Sequence, residues 1–155
     1  MDERQEGIAV EYAGFWIRLG AYLIDGILLN IIGFLVAFIA GIIFASAEDD
    51  AILVLEFIVG LVISIAYYIG FWTWRGQTPG KIALGIKIIR TDGSSLSLGM
   101  SILRYIGYII SAIILLIGYL WIAFDSRKQG IHDKIADTYV IRLPQKKVIL
   151  PETYA

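Results

Sequence analysis

Three long apolar runs constrain this chain more than any other feature of its sequence. They span residues 19–47, 51–74 and 101–124. A helix needs about 20 residues to cross a bilayer core of about 30 Å, and each run meets that length. The first run is too long for the apolar part of a signal peptide, and no small-residue cleavage site follows it. The sequence therefore predicts a multi-pass protein that is embedded in membrane lipids.

Basic residues are distributed unevenly around these runs. Residues 46–50 contain no Lys or Arg, whereas residues 76–99 and the segment after residue 125 contain several. Short cytoplasmic loops carry the excess of Lys and Arg, so the N-terminus, residues 76–99 and the C-terminal segment are predicted to be cytoplasmic. A third simple crossing would export the basic C-terminal segment.

Two strand-like segments bear on the third run. IKIIRTDG (residues 86–93) and TYVIRL (residues 138–143) are rich in β-branched residues and could pair, which requires both on one side of the membrane. The 24 residues of the third run reach only about 36 Å as a helix, enough for one crossing and too short for two. We therefore predict a helix that breaks near Gly118 and re-enters, with a plain third crossing as the alternative.

The predicted fold class is all-α membrane. It has two long transmembrane helices, a third apolar segment that re-enters or crosses, and a short cytoplasmic β pair. At 155 residues we expect one domain, with polar tails at residues 1–13 and 144–155. The chain is too short for two inverted transporter halves, so a transport path would need a homo-oligomer.

An arginine and an aspartate stand at the start of the first run. Arg18 and Asp25 are seven residues apart, close to two helical turns, with Tyr22 between them on nearly the same side. An unpaired ionised aspartate in hydrocarbon costs on the order of 3 kcal/mol, so Asp25 must be protonated, face water or pair with a cation. Candidate cations are Arg18, a cytoplasmic-side basic residue and Arg104. The group could form an ion or proton site, or a structural ion pair that docks helices.

Two polar motifs follow the apolar runs. GQTPGK (residues 76–81) is one residue short of a phosphate-binding loop and lacks its Ser/Thr. We interpret it as a turn that starts a basic amphipathic segment on the membrane surface. GIHDKIADT (residues 130–138) holds the only histidine, His132, beside Asp133, with Asp137 four residues on. A capped surface helix is the main interpretation, and metal or proton binding is the alternative.

Several functions are disfavoured by what the sequence lacks. There is no cysteine, and no nucleophile or paired metal-ligand spacing is recognisable, so we expect neither an enzyme nor a cofactor nor a metal site. A lipid-active enzyme that uses His132 and Asp133 is the weakest alternative. The formal net charge is −1, which gives no indication of nucleic-acid binding.

Three blocks of sequence resemble a known family. RLGAYLIDGILL, GQTPGKIALGIKIIRTDG and FDSRKQGIHDKIADTYVIR, in this order, resemble the RDD family of small bacterial and archaeal membrane proteins, which is named for an arginine and two aspartates. The resemblance identifies Arg18 and Asp25 as the first two, and Asp133 as the second aspartate. Asp137 stands where family members often carry glycine.

The resemblance implies a prokaryotic cytoplasmic membrane protein, with ion transport or exchange as the usual suggestion for an unsettled function. We expect a small-ion transporter or exchanger that moves a cation or proton as an oligomer, with Asp25 as its titratable site. The alternative is a non-catalytic membrane module that docks or stabilises a partner protein. If Arg18, Asp25 and Asp133 converge at the cytoplasmic mouth, the hairpin topology is favoured. The candidate ion or proton site comprises Arg18, Asp25, Asp133, His132, Tyr22 and Arg104.

Overall fold

A computed structural model describes residues 10–44, 49–113 and 117–144 of the chain. Most of these residues are helical, and two short strands form the only sheet in the described ranges. The elements in chain order are α1 (Phe15–Ile43), α2 (Asp49–Arg75), α3 (Pro79–Ala83), β1 (Ile86–Arg90), α4 (Leu98–Ile113), α5 (Ile117–Phe124), α6 (Ile131–Ile135) and β2 (Thr138–Arg142). The described residues do not include residues 1–9 and 145–155 of the polar tails or residues 46–48 of the acidic loop.

The first two apolar runs form the two long helices. The helices α1 and α2 are 29 and 27 residues long, and the most apolar part of each has a mean hydropathy of 2.6 and 2.4, respectively. Large apolar side chains project outward from both helices, as shown by Phe34 and Phe57 at 69% and 72% exposure. Helices that are apolar on their outer faces are suited to lipid. The prediction of two helices long and apolar enough to cross a membrane is confirmed.

The third apolar run forms two helices, α4 and α5. The hydroxyl of Tyr119 on α5 donates a hydrogen bond of 3.0 Å to the carbonyl oxygen of Tyr108 on α4. Residues 11 positions apart would lie about 16 Å apart in a continuous helix, so α4 and α5 lie side by side. α4 ends at Ile113 and α5 begins at Ile117, residues 114–116 lie outside the described residues, and Gly118, where we predicted the break, belongs to α5. The position of this helix pair in the membrane stays a prediction.

The two strands pair as the β-branched segments predicted. β1 and β2 are antiparallel, in a register that runs from Ile86 opposite Arg142 to Arg90 opposite Thr138. Tyr12, just before α1, forms an isolated bridge to Ile141. One face of the strand pair is buried with the ends of the helices, in a core formed by Ala13, Ala21, Trp72, Ile86, Ile88, Leu96 and Val140. The strand pair therefore places both ends of the described chain beside the start of α1 and the end of α2.

Candidate functional site

Asp25 is fully buried where α1 meets α2 and α3. Its Oδ1 accepts a 2.8 Å hydrogen bond from the hydroxyl of Tyr67 on α2 and a 2.7 Å bond from the backbone N–H of Gly80 on α3. Its Oδ2 accepts a hydrogen bond from the hydroxyl of Thr78. The carboxylate therefore ties three helical segments together through uncharged donors.

Gly80 permits this contact because it has no side chain. A Cβ at this position would lie 2.1 Å from the carbonyl oxygen of Ala21 and 2.9 Å from Oδ1 of Asp25. The helix begins at Pro79, whose fixed φ and missing N–H suit a first helical position. The backbone N–H of Gly80 is one of the unpaired donors at that end of α3, and it is thereby available to Asp25.

A second buried cluster centres on Asp133 of α6. Oδ2 of Asp133 accepts hydrogen bonds from the guanidinium of Arg18 and from the N–H of Gly130 at 2.8 Å. The guanidinium of Arg104 on α4 pairs with Oδ1 of Asp133 and also donates to the hydroxyl of Thr138. Asp133 and Arg104 are both fully buried, so this ion cluster holds α1, α4 and α6 against one another.

The rest of the Arg18 guanidinium is also bonded within the chain. Its Nε donates a 2.8 Å hydrogen bond to the carbonyl oxygen of Ala13, and its Nη2 donates to the carbonyl oxygen of Lys128. Arg18 thus joins the start of α1 to the segment that leads into α6.

Electrostatics fix the charge states around Asp133. Burial alone would raise the pKa of Asp133, but the guanidiniums of Arg104 and Arg18 outweigh it and hold that pKa well below its usual range. Burial lowers the pKa of His132 to about 3. His132 is therefore neutral near pH 7, and the 3.7 Å between its Nε2 and Oδ1 of Asp133 is not an ion pair. The imidazole instead stacks on the ring of Tyr108, with centroids 4.1 Å apart.

A cavity of about 610 Å³ lies between α1, α2, α4 and α5, next to the Asp133 cluster. Its walls are mostly apolar and aromatic, and its polar lining includes Arg18, Lys81 and His132. Lys81 is only 5% exposed. Burial, reinforced by the positive charge of Arg104, lowers the pKa of Lys81 to about 8.

The structure brings the six predicted site residues into one region but divides them into separate contacts. Arg18 pairs with Asp133, and Arg18, one of the candidate cations for Asp25, forms no pair with that carboxylate, which bonds to uncharged donors instead. Arg18 and Asp25 face inward from the same helix but meet different neighbours. Arg104 pairs with Asp133 rather than with Asp25. Tyr22 does not bridge Arg18 and Asp25, since it is 53% exposed and its ring lies 6.4 Å from that of Tyr68.

Both polar motifs are more buried than we predicted. Lys81 in GQTPGK and Asp133 in GIHDKIADT are buried, so neither segment is simply a surface helix. Both segments contain short helices that present polar side chains to the interior, Lys81 from α3 and His132 and Asp133 from α6. Asp137 does not share a helical face with Asp133, because α6 ends at Ile135 and Asp137 has a φ of 49°. That left-handed conformation is one that glycine adopts without strain.

The sequence interpretation missed the partners of Asp25. Tyr67, Thr78 and Gly80 were not among the candidates, although Thr78 and Gly80 belong to a motif that we noted. Their location inside a block typical of the family was the available signal. Among the residues that the structure describes, no group of three or more His, Asp or Glu side chains could hold a metal ion.

Taken together, two long apolar helices and a buried charge cluster that joins distant segments define a mostly helical membrane protein. The chain belongs to the RDD family, whose match covers residues 12–137. The predicted family membership is confirmed.

Relatives occur in Bacillus subtilis (strain 168). The uncharacterized protein YxaI is 36% identical over 146 residues, covering 83% of this chain and 96% of the relative. The uncharacterized protein YckC is 35% identical, with 83% of each chain covered. The uncharacterized membrane protein YteJ is 31% identical, with 84% of this chain and 80% of YteJ covered. No solved structure matches the chain.

Proposed function

We propose that the protein exchanges a small cation for a proton across a cell membrane, with Asp25 as the group that takes up either one. The observation that supports this proposal is the setting of the Asp25 carboxylate. It is fully buried, and its hydrogen-bond partners Tyr67, Thr78 and Gly80 are all uncharged. Within the described ranges, no basic side chain forms an ion pair with it. Its charge is therefore free to be neutralised by an ion from outside the chain.

The groups around Asp25 suit both occupants. A hydroxyl can donate a hydrogen bond to a carboxylate or turn its lone pairs toward a cation, so Tyr67 and Thr78 can serve either state. Small hard cations prefer oxygen ligands, which these hydroxyls and the carboxylate supply. Because a proton and a cation would neutralise the same buried charge, binding one would displace the other. That competition is the elementary step of exchange.

The proposal includes a homo-oligomer in the membrane. Gly33, Ala37 and Gly41 recur every fourth residue and form a small-residue face on α1. A Cβ added at Gly33 or Gly41 would meet nothing within 4 Å, so the space beside these two glycines is open in the described chain. Small residues allow helix backbones of neighbouring membrane chains to approach closely. We assign this face to contacts between copies, which would supply the rest of a path that one short chain lacks.

The test is exchange in proteoliposomes that carry a pH-sensitive dye. An inward cation gradient should drive a change of internal pH in the wild type, and Asp25→Asn should abolish it. Equal rates in the wild type and Asp25→Asn would refute the proposal. Tyr67→Phe removes one oxygen ligand and should raise the cation concentration for half-maximal exchange. Tyr139→Phe is its matched control, because the Tyr139 hydroxyl lies in β2 and contacts Arg127 rather than Asp25, and it should leave that concentration unchanged.

A second candidate function is a non-transporting module that docks or stabilises a partner protein. The hydrogen bonds of Arg18 and Asp133 within the chain favour this alternative, because such bonds fix a structure without needing an ion. In that case Asp25→Asn should lower the thermal stability of the detergent-purified protein, with no exchange in either form. The same pair of proteins therefore separates the two functions.

A further inference from the structure

The cavity between the helices is a different site from Asp25. Its volume of about 610 Å³ falls within the range of about 300–1,000 Å³ that is typical of small-molecule pockets. Asp25 does not line it, whereas Tyr68, Trp72 and Tyr105 do. Two other lining residues, Tyr22 and Leu120, are 53% and 50% exposed, so the cavity opens toward the outer faces of α1 and α5. It is therefore accessible from the side that lipid would cover.

Two buried polar groups at this cavity lack partners. Lys81 is 5% exposed, and among the described residues it forms neither a hydrogen bond nor an ion pair. His132 is 1% exposed, and its Nδ1 has no hydrogen-bond partner in the part of the chain that the structure describes. Leaving buried polar groups unpaired costs free energy. A ligand with oxygen acceptors at this end of the cavity would pair with the Lys81 ammonium, and with Nδ1 of His132 in the neutral tautomer that carries its proton on that nitrogen.

The charge balance indicates that the ligand is an anion. The guanidiniums of Arg18 and Arg104 and the carboxylates of Asp25 and Asp133 all lie close enough to act on the charge of Lys81. Arg18 and Arg104 both bond to Asp133, so Lys81 carries the positive charge that has no direct partner. If Asp25 binds a proton or a cation, the positive excess becomes larger. The anion site therefore does not depend on the exchange proposed above.

We propose that this cavity binds an anionic phospholipid, with its phosphate against Lys81 and His132 and one acyl chain among the aromatic side chains. Basic pockets between membrane helices are established sites for acidic lipid headgroups. The apolar walls favour a lipid over free phosphate, because phosphate alone would leave them uncovered. The lateral opening gives a lipid a way in from the bilayer.

Quenching of Trp72 by brominated lipid tests this proposal. Trp72 lines the cavity at 2% exposure, whereas Trp16, Trp74 and Trp121 are 79%, 74% and 49% exposed. Phenylalanine at those three positions leaves Trp72 as the single reporter. The full chain is reconstituted in nanodiscs with small fractions of brominated phosphatidylglycerol or brominated phosphatidylcholine.

Phosphatidylglycerol should reach half-maximal quenching at a roughly fivefold lower mole fraction, since one Lys contributes about 1 kcal/mol to acidic-lipid binding. Lys81→Met should remove the preference for phosphatidylglycerol over phosphatidylcholine. Lys87→Met is the matched control, because it removes a lysine that is partly exposed, and it should keep that preference. The preference should also weaken as pH rises through about 8, where Lys81 loses its proton. Ala112→Phe keeps every charge but narrows the cavity, and should reduce quenching by both lipids.

The outcomes are decisive in both directions. Equal quenching by the two lipids in the wild type would overturn the proposal, as would a preference that survives Lys81→Met. Free phosphate that abolishes quenching by phosphatidylglycerol at millimolar concentration would assign the site to a soluble anion instead. Gel filtration of each variant confirms its fold, and Ala112→Phe keeps the test valid if Lys81→Met does not fold. Failure here would leave cation exchange at Asp25 unaffected, because that assay reports on pH and not on Trp72.

Discussion

Replacing Gly80 with alanine tests how closely α3 must approach α1. The added Cβ would lie 2.1 Å from the carbonyl oxygen of Ala21, whereas ordinary van der Waals contact begins at 3.4 Å. Because the obstacle is helix backbone, α3 must move away by about 1 Å to relieve most of this overlap. The hydrogen bond from the Gly80 N–H to Oδ1 of Asp25, now 2.7 Å, would then exceed the limit of about 3.2 Å.

The steric overlap and the lost hydrogen bond together determine how much stability Gly80→Ala loses. Forcing extra atoms into a packed contact costs about 1–3 kcal/mol, and losing a hydrogen bond to a charged group costs about 1.5–3 kcal/mol. We expect Gly80→Ala to lower the free energy of unfolding by about 3 kcal/mol, since relaxation recovers part of the sum. At about 2–4 °C per kcal/mol for a chain of this size, Tm should fall by roughly 6–12 °C.

The assay is thermal unfolding of the detergent-purified protein, followed by tryptophan fluorescence. Gly99→Ala is the control, because Gly99 lies in α4 and a Cβ there would meet nothing within 4 Å. Alanine is a better helix former than glycine, so this control should keep or slightly raise Tm. If Gly80→Ala has the same Tm as Gly99→Ala, the close contact between α3 and Asp25 is not needed for stability.

Two further predictions concern the Asp133 cluster. Asp133→Asn leaves the buried guanidiniums of Arg18 and Arg104 without their carboxylate and should lower the free energy of unfolding by about 3–5 kcal/mol. The control Asp92→Asn, in an exposed pair with Arg90, should leave Tm unchanged. Similar Tm values for both variants would contradict a stabilising role of the Asp133 ion cluster. Because burial lowers the pKa of His132 to about 3 from 6.5, only the unfolded chain takes up this proton as pH falls below 6.5. Tm should therefore fall between pH ~6.5 and ~4.5, before Asp133 titrates, and His132→Phe should flatten that decline.

The sequence was sufficient for features that depend on local pattern. The lengths of the first two apolar runs predict α1 and α2, and the β-branched residues around Ile88 and Val140 predict the strand pair. The meeting of Arg18 with Asp133 followed only from the resemblance, because no local pattern links residues 115 positions apart.

Other features could not be read from local pattern. Spacing on a helix shows that Arg18 and Asp25 face the same side, but not which neighbour each one meets. Lys81 was placed on the membrane surface because GQTPGK resembles a turn that starts a basic amphipathic segment. Its burial depends on α3 packing against α1 through Gly80, which is a contact between segments that are distant in sequence. The exposure of Tyr22 likewise depends on where α2 lies.

The bond between Arg18 and Asp133 has a consequence for biosynthesis. A ribosome makes the chain from its N-terminus, so α1 leaves it long before the residues that complete its polar contacts exist. Thr78 and Gly80 are translated 53 and 55 residues after Asp25, and Asp133 follows Arg18 by 115 residues. Until then the side chains of Arg18 and Asp25 must form their polar contacts with water, lipid headgroups or the insertion machinery. The native bundle can therefore close only after α6 has been translated and its Asp133 carboxylate can pair with Arg18.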